Sequence, residues 1–330
     1  MIYLDSGRVI NYLTKKNDRD LIAIVLLSEK KDPKIYQINS CHRYSKECNM
    51  IANSDSPALI PSPAEISKAL QAGSSLAGAN LQGIDLSGVD LYQVNFSGAN
   101  LSQGNLSKAI LTRANLSGAI LQNINLSGVD LRGADLSNTD LTGANLQGAY
   151  LNRGDLQGAN LKGANLTDAK LQLSRYDSYT IWPEDYPYKS SGGVGPGASL
   201  NGAFLNTAHL RGADLQKANF LGAYLSGADL TGANLAGASF SGANLRRAFL
   251  TGAYLQNARF NGAELQDVDF RAADLTGAEF NNIQSIAGAD FGQVMGLSEE
   301  MRGILLGHPM MELDTFNSFT RRTTRESLSC

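Results

Sequence analysis

The chain has 330 residues, 43% of them hydrophobic and only 18% charged, with a formal net charge of −3. That balance gives no electrostatic reason to expect a nucleic-acid partner or a membrane surface. Three cysteines, Cys41, Cys48 and Cys330, are too few for a disulfide framework and fit a reducing compartment.

The opening sequence, Met1-Ile2-Tyr3-Leu4-Asp5, lacks the charged-then-apolar order of a signal peptide. The longest apolar run, Leu21 to Leu27, is too short to span a bilayer. A cytoplasmic protein without membrane contact is therefore expected. Residues 1–55 read as a small module, mainly β, in which Arg8 to Thr14, Leu21 to Ser28 and Lys34 to Asn39 are separated by polar turns such as Lys31-Asp32-Pro33. It holds nine Lys or Arg against seven acids, and the basic residues lie in turns, as a solvated surface would place them. His42 lies between Cys41 and Cys48, but the spacing matches no common zinc pattern and no second ligand pair is visible, so no metal is expected. Residues 56–75 then read as linker and capping helix. Ser62 serves as N-cap, Pro63 takes the first helical position, and Ile66, Ala69 and Leu70 form one apolar face that would cover the first turn of a rod beginning at Leu76.

From Leu76 to Leu171 a leucine or phenylalanine recurs at every fifth position, twenty times without a gap, and from Leu200 to Phe280 seventeen times more. Asp or Asn precedes it at most steps, with a small residue one position earlier, as in Ala79-Asn80-Leu81-Gln82-Gly83 and Ala134-Asp135-Leu136. Neither a 3.6-residue helix nor a two-residue strand alternation accommodates a period of five, so the period is a repeat. No charge occurs at the central position or two before it, where Ala dominates, so both columns suit a narrow apolar interior.

These motifs resemble the pentapeptide-repeat family, A(D/N)LxG, of the cyanobacterial type, over about 185 of the 330 residues. The resemblance implies an all-β solenoid: a right-handed quadrilateral parallel β-helix with one pentapeptide per side and four per turn. Thirty-seven repeats then make about nine turns, roughly 45 Å at the usual ~4.8 Å strand spacing. Phe220, Phe240, Phe260 and Phe280 are spaced by twenty and should stack in one structural column, and Asn105, Asn125, Asn145 and Asn165 should form an outward amide ladder. A turn cannot stand alone, because its buried side chains supply less than its backbone entropy removes. Both open ends therefore need caps.

The blocks are expected at 76–172 and 200–292, separated by an aromatic and glycine-rich loop at 173–199, across which the five-residue frame slips by one. The loop carries Tyr176, Tyr179, Trp182, Tyr186 and Tyr188 and ends in Gly192-Gly193-Val194-Gly195-Pro196-Gly197. Its segment from Tyr176 to Glu184 resembles an insertion common in cyanobacterial members of the family. The rings either fold back to shield the break or form a protein-binding loop, since Trp and Tyr are frequent interface anchors. Ile286 and Phe291 read as degenerate repeats. Residues 293–330 then hold a capping helix, with Ser298 as N-cap, Glu299 and Glu300 in its first turn, Met301, Ile304 and Leu305 as its apolar stripe, and a tail that is mobile or lies along the rod.

No catalytic constellation is visible, and neither an enzyme nor a cofactor is expected. His209 and Asp229 are one turn apart and read as a surface pair; Glu264, Asp267, Asp269 and Asp274 make an acidic neighbourhood whose members occupy ordinary repeat positions. The expected function is a non-catalytic binding or scaffold protein, regulatory in the way suggested for some cyanobacterial relatives, with an unidentified protein partner. The resemblance also implies an alternative, because some family members imitate duplex DNA and inhibit or protect DNA gyrase. The charge census opposes it. Each block holds seven acids and six bases, whereas ~45 Å of duplex carries roughly 26 negative charges. Some members dimerise end to end, but lids at both ends imply a monomer.

Overall fold

The computed structural model describes residues 2–3, 9–10, 66 and 75–329. Strands β1 (Ile2–Tyr3) and β2 (Val9–Ile10) pair antiparallel, with Ile2 opposite Ile10 and Tyr3 opposite Val9. Cys41, His42, Cys48 and the linker at 53–63 lie outside the described residues. Of the helix expected at 62–71 only Ile66 is described, and it is helical and buried. The chain forms two compact units, Met1–Lys170 with Thr180–Tyr186, and Leu171–Tyr179 with Pro187–Cys330.

In the first unit the outward Asp or Asn position pairs in parallel with the residue twenty further on: Asn80 with Asn100, Asn100 with Ile120, Ile120 with Asp140. The Leu101 amide donates to the Ile120 carbonyl at 2.8 Å, and the Asn105 amide to Ile84 at 2.8 Å. One circuit therefore takes four pentapeptides. Each corner is a tight turn closed by a bond such as Ala99 N–H to Phe96 carbonyl at 2.9 Å, and its third residue has positive φ, +64° at Gly98. Glycine adopts that backbone without steric cost. Lys108, at φ +58°, adopts it without that freedom, which costs an L-residue about 1 kcal/mol.

The interior is built as the residue types require. Central residues such as Leu101, Leu111 and Leu131 are fully buried, and so are the small residues two before them. Each central leucine stabilises the unit by about 1.5–3 kcal/mol. Gly104 stands between Ile84 and Ile124 in one inward column; a Cβ there would lie 3.0 Å from the Ile84 carbonyl and 3.5 Å from its Cγ2. Thr139, buried in such a position, satisfies its hydroxyl by donating to the Leu136 carbonyl at 2.6 Å.

The outward Asp or Asn has a structural duty as well. Its Oδ1 accepts the amide two residues on, as in Asp85 with Ser87, Asp90 with Tyr92 and Asn95 with Ser97, each at 3.0 Å. That bond holds the corner. In one column the amides also bond to one another, from Asn125 to Asn105 at 3.1 Å, Asn145 to Asn125 at 3.3 Å and Asn165 to Asn145 at 3.3 Å.

The second unit repeats the pattern. Phe220, Phe240, Phe260 and Phe280 stack with centroid separations of 4.9, 5.1 and 4.9 Å and ring planes within 8°. Phe270 stands on the opposite side, edge-on to Phe260 at 5.5 Å, with Phe291 stacked on it at 5.0 Å. From Glu264 onward the step between partners is twenty-one residues, Glu264 with Ser285, Asp269 with Asp290 and Asp274 with Met295.

Residues 173–199 are not one loop. The repeat rhythm continues for one more step, so that Arg175 pairs with Val194 and Tyr176 is buried in the central position. Ile181 pairs with Asn160 in the first unit. The glycine-rich stretch is a bed for the Tyr176 ring rather than a flexible link: a Cβ on Gly193 would lie 3.3 Å from Tyr176 Cδ1, and one on Gly195 would overlap the ring.

Three helices follow the last turn: α1 (Glu299–Leu306), α2 (Met310–Leu313) and α3 (Thr324–Leu328). Ser298 caps α1 by accepting the Met301 amide at 3.2 Å. Of the expected stripe, however, only Leu305 is buried; Met301 is half-buried and Ile304 exposed. Closure falls instead to the segment expected to be a tail, mobile or lying along the rod. Thr324 donates to the Ile286 carbonyl at 3.0 Å, Ser327 Oγ accepts the Phe291 amide at 3.0 Å, and Asn317 donates to the Gly288 carbonyl at 2.6 Å. Leu313 and Leu328 are buried beside them. Backbone groups of the last circuit are thereby satisfied, as an open sheet end requires.

Candidate interaction surface

The sequence directs attention to the aromatic residues of 173–199, and the structure separates them. In the second unit Tyr176 is buried, edge-on to Tyr188 at 5.6 Å, and its hydroxyl donates to the Pro196 carbonyl at 3.3 Å. Burial, and behind it the charge of Tyr188, pushes its phenol well above the ordinary value. Tyr176 is thus a core residue and cannot serve in a binding loop. Tyr188 is half-buried in the short 3-10 turn Tyr188–Ser190, while Tyr179 is 79% exposed. In the first unit Trp182 and Tyr186 are half-buried and stack at 5.7 Å. Phe220, Phe240, Phe260 and Phe280 are all fully buried.

A stronger surface feature lies on one face of the second unit, where Phe204 and Tyr224 occupy successive outward positions. Their rings stack at 4.9 Å, 3° from parallel, yet Phe204 is 77% exposed and Tyr224 45%. Leu221, on the neighbouring side, is exposed as well. An aromatic ring at this position gives up the amide-capping bond that Asp or Asn makes, a bond worth about 0.5–1.5 kcal/mol. The chain compensates at Tyr224, where Asn206 Oδ1 from the previous turn accepts the Ser226 amide at 3.2 Å. Phe249 makes the same exchange for a visible structural reason, packing on Phe319 at 5.0 Å. Phe204 and Tyr224 stack only on each other among the described rings. The signal was present in the sequence, as two aromatic residues twenty apart where the repeat calls for Asp or Asn.

The acidic residues do not converge. Glu264, Asp269 and Asp274 stand on three different sides. Asp269 pairs with Arg271, Nη2 to Oδ2 at 2.7 Å; Asp274 accepts from Gln256 at 2.6 Å; Asp267 accepts the Ser318 amide at 3.0 Å. Burial acts to raise the pKa of Asp269, but the Arg271 hydrogen bonds and charge outweigh it and hold the carboxyl below the usual range. Asp229 is likewise held low against burial, by the Thr231 hydroxyl and amide, then Arg211 and last His209, with which it pairs through the backbone. Among the described residues no group of three or more His, Cys, Asp or Glu is arranged to hold a metal ion, and no helix is long and apolar enough to cross a membrane.

Parallel five-residue units closing every twenty residues, with a polar outer face interrupted by an aromatic stack, define a repeat protein of the solenoid class. The model of pentapeptide repeats matches eight copies, across residues 72–107, 109–148, 144–175, 197–227, 223–262 and 253–284. The chain belongs to the pentapeptide-repeat family, and membership implies a right-handed β-helix type of fold. Among solved structures it is similar to HetL, a protein involved in heterocyst differentiation regulation from the cyanobacterium Nostoc sp. strain PCC 7120, at 33% identity over 68% of this chain and 95% of that one, with a TM-score of 0.26. It is also similar to Rfr23 from the cyanobacterium Cyanothece 51142, at 28% identity over 36% of this chain and 98% of that one, TM-score 0.26. QnrB1, a plasmid-mediated fluoroquinolone resistance protein, aligns at 19% identity over 69% and 98%, TM-score 0.30. No curated protein matches.

Proposed function

We propose that this is a non-catalytic binding or scaffold protein, regulatory in effect, whose partner is a protein with an apolar patch that seats on Phe204, Tyr224 and Leu221. The exposed Phe204–Tyr224 stack carries this proposal, because at both positions an aromatic ring stands where the repeat calls for its corner-capping Asp or Asn. Aromatic rings already stacked lose little freedom on binding, and such side chains dominate interface energetics. The walls around them are held by a hydrogen-bond ladder at every circuit, so the patch is presented on a stiff surface. The setting proposed is the cytoplasm, with the chain acting as a monomer.

The test replaces both rings with the residue the repeat calls for. Phe204→Asn/Tyr224→Asn puts back the capping residue of the repeat, so its melting temperature should equal or exceed that of the parent. Proteins recovered from native lysate by the parent should be lost from the double variant. Equal recovery by both would overturn the assignment. Imitation of DNA is the competing outcome, and inhibition or protection of gyrase supercoiling at micromolar protein would establish it instead.

A further inference from the structure

A second site, independent of the aromatic stack, lies at the C-terminal end of the second unit. On one side the outward residues of successive turns are His209, Asp229, Phe249, Asp269 and Asp290. Two positions after the first four stand Arg211, Thr231, Thr251 and Arg271; after Asp290 stands Gly292. Arg271 closes over Asp269 with two bonds, Nε to Oδ1 at 2.9 Å and Nη2 to Oδ2 at 2.7 Å. Asp290 has no such arm. It is 0% exposed, its Oδ1 accepts the Gly292 amide at 2.8 Å, and its Oδ2 is buried without a hydrogen-bond partner.

The missing arm leaves a cleft of about 250 Å³ lined by Arg271, Asp290, Gly292, Gln293, Thr320 and Arg322. The Thr320 hydroxyl is also buried and unpartnered. A Cβ on Gly292 would sit 2.7 Å from Arg322 Nη1 and 3.0 Å from Asp290 Oδ1, so the glycine keeps the space between cation and carboxylate open. Buried polar atoms without partners are rare because each forfeits its hydration. Here two of them belong to residues that line one small polar cleft together with two arginines.

The complement of these groups is restrictive. Asp290 Oδ2 needs one donor, whereas Arg322, the Nη1 of Arg271 and Thr320 offer donors to an anion. A sulfate or a carboxylate would suit the arginines but would set lone pairs against Asp290. An amino acid brings an ammonium with three N–H groups to a single free acceptor. Hydrogenphosphate carries one O–H and three further oxygens on one tetrahedral centre. We propose that this cleft binds inorganic hydrogenphosphate, with its proton donated to Asp290 Oδ2 and its oxygens held by Arg322, Arg271 and Thr320. A phosphate monoester, whose second pKa is about 6, has no proton to donate at pH 8 and is excluded by the same carboxylate.

Isothermal titration of the full-length protein at pH 8 with inorganic phosphate, sulfate, glycerol phosphate and glycine tests this. Phosphate should bind at least about tenfold more tightly than the other three, the ratio expected of one charge-assisted hydrogen bond gained or opposed. Asp290→Asn, whose amide can donate, should reverse the preference in favour of sulfate. Gly292→Ala should abolish phosphate binding by filling the cleft, and Arg322→Ala should weaken it, both with unchanged melting curves; these two carry the test if the Asp290 variant fails to fold. Equal affinity for phosphate and sulfate, binding of glycine or the ester alone, no heat with phosphate at millimolar concentration, or parental binding by Gly292→Ala would each overturn the proposal.

Discussion

Truncation of Phe260 measures how the buried column holds the second unit together. Phe260 is fully buried, stacked between Phe240 at 5.1 Å and Phe280 at 4.9 Å, with Phe270 edge-on at 5.5 Å. Phe220, equally buried, has one stacked neighbour, Phe240 at 4.9 Å. Phe→Ala in a packed core costs about 3–5 kcal/mol, and each aromatic pair adds roughly 0.5–1.5 kcal/mol beyond burial. Phe260 makes two more ring contacts than Phe220, so Phe260→Ala should exceed Phe220→Ala by about 1–3 kcal/mol. Phe260→Leu, which installs the residue used in most other repeats, should cost only about 1–2 kcal/mol. The measurement is urea unfolding followed by circular dichroism and fitted with a nearest-neighbour model, because repeat arrays need not unfold in one step. A double-mutant cycle should couple Phe240 with Phe260, while Phe220 and Phe280, which do not touch, should be additive. Equal costs for Phe220→Ala and Phe260→Ala, with no coupling in the cycle, would show that the column contributes burial alone and would refute the stacking account.

Two further outcomes are expected of the second unit. Arg271→Gln should destabilise the protein by about 1–3 kcal/mol at pH 7, since it leaves Asp269 buried with fewer donors. The folded pKa of Asp269 is depressed, so this stabilisation is present above the unfolded value near ~3.9 and disappears as pH falls through the folded value; parent and variant should converge in acid melting curves. Thr323→Ala removes the capping box that joins Thr323 and Glu326, in which the Glu326 amide donates to Thr323 Oγ1 at 3.1 Å and the Thr323 amide to Glu326 Oε2 at 2.9 Å. The loss should be about 1 kcal/mol, read as faster amide exchange across Thr324–Leu328 with the Phe240 region unchanged.

The repeat itself was legible in one dimension. A central apolar residue every five positions, a small residue two before it and Asp or Asn between them are each demanded by one environment, respectively the core, the narrow inner wall and the corner bond. Repetition of a local environment writes a local pattern, so the Phe220 column could be named from spacing alone. Tyr176 escaped that logic because its neighbours look like a loop; only the folded chain shows Gly193 and Gly195 making room for its ring. The lid escaped in the same way. A Thr-x-x-Glu cap at Thr323 was readable, but the choice of Leu328 over Ile304 as the buried residue depends on which amides and carbonyls of the last turn need partners.

What the amino-acid order determined, then, was the circuit: its five-residue side, its twenty-residue turn and the residues that line it, because those forces act between near neighbours or identical repeats. Tertiary structure decided what the breaks in that pattern do. It left Phe204 and Tyr224 stacked in solvent and buried Asp290 in a cleft that Thr320 and Arg322 complete. Both depend on what other turns, or the returning C-terminal segment, bring alongside, and a period cannot encode such long-range encounters.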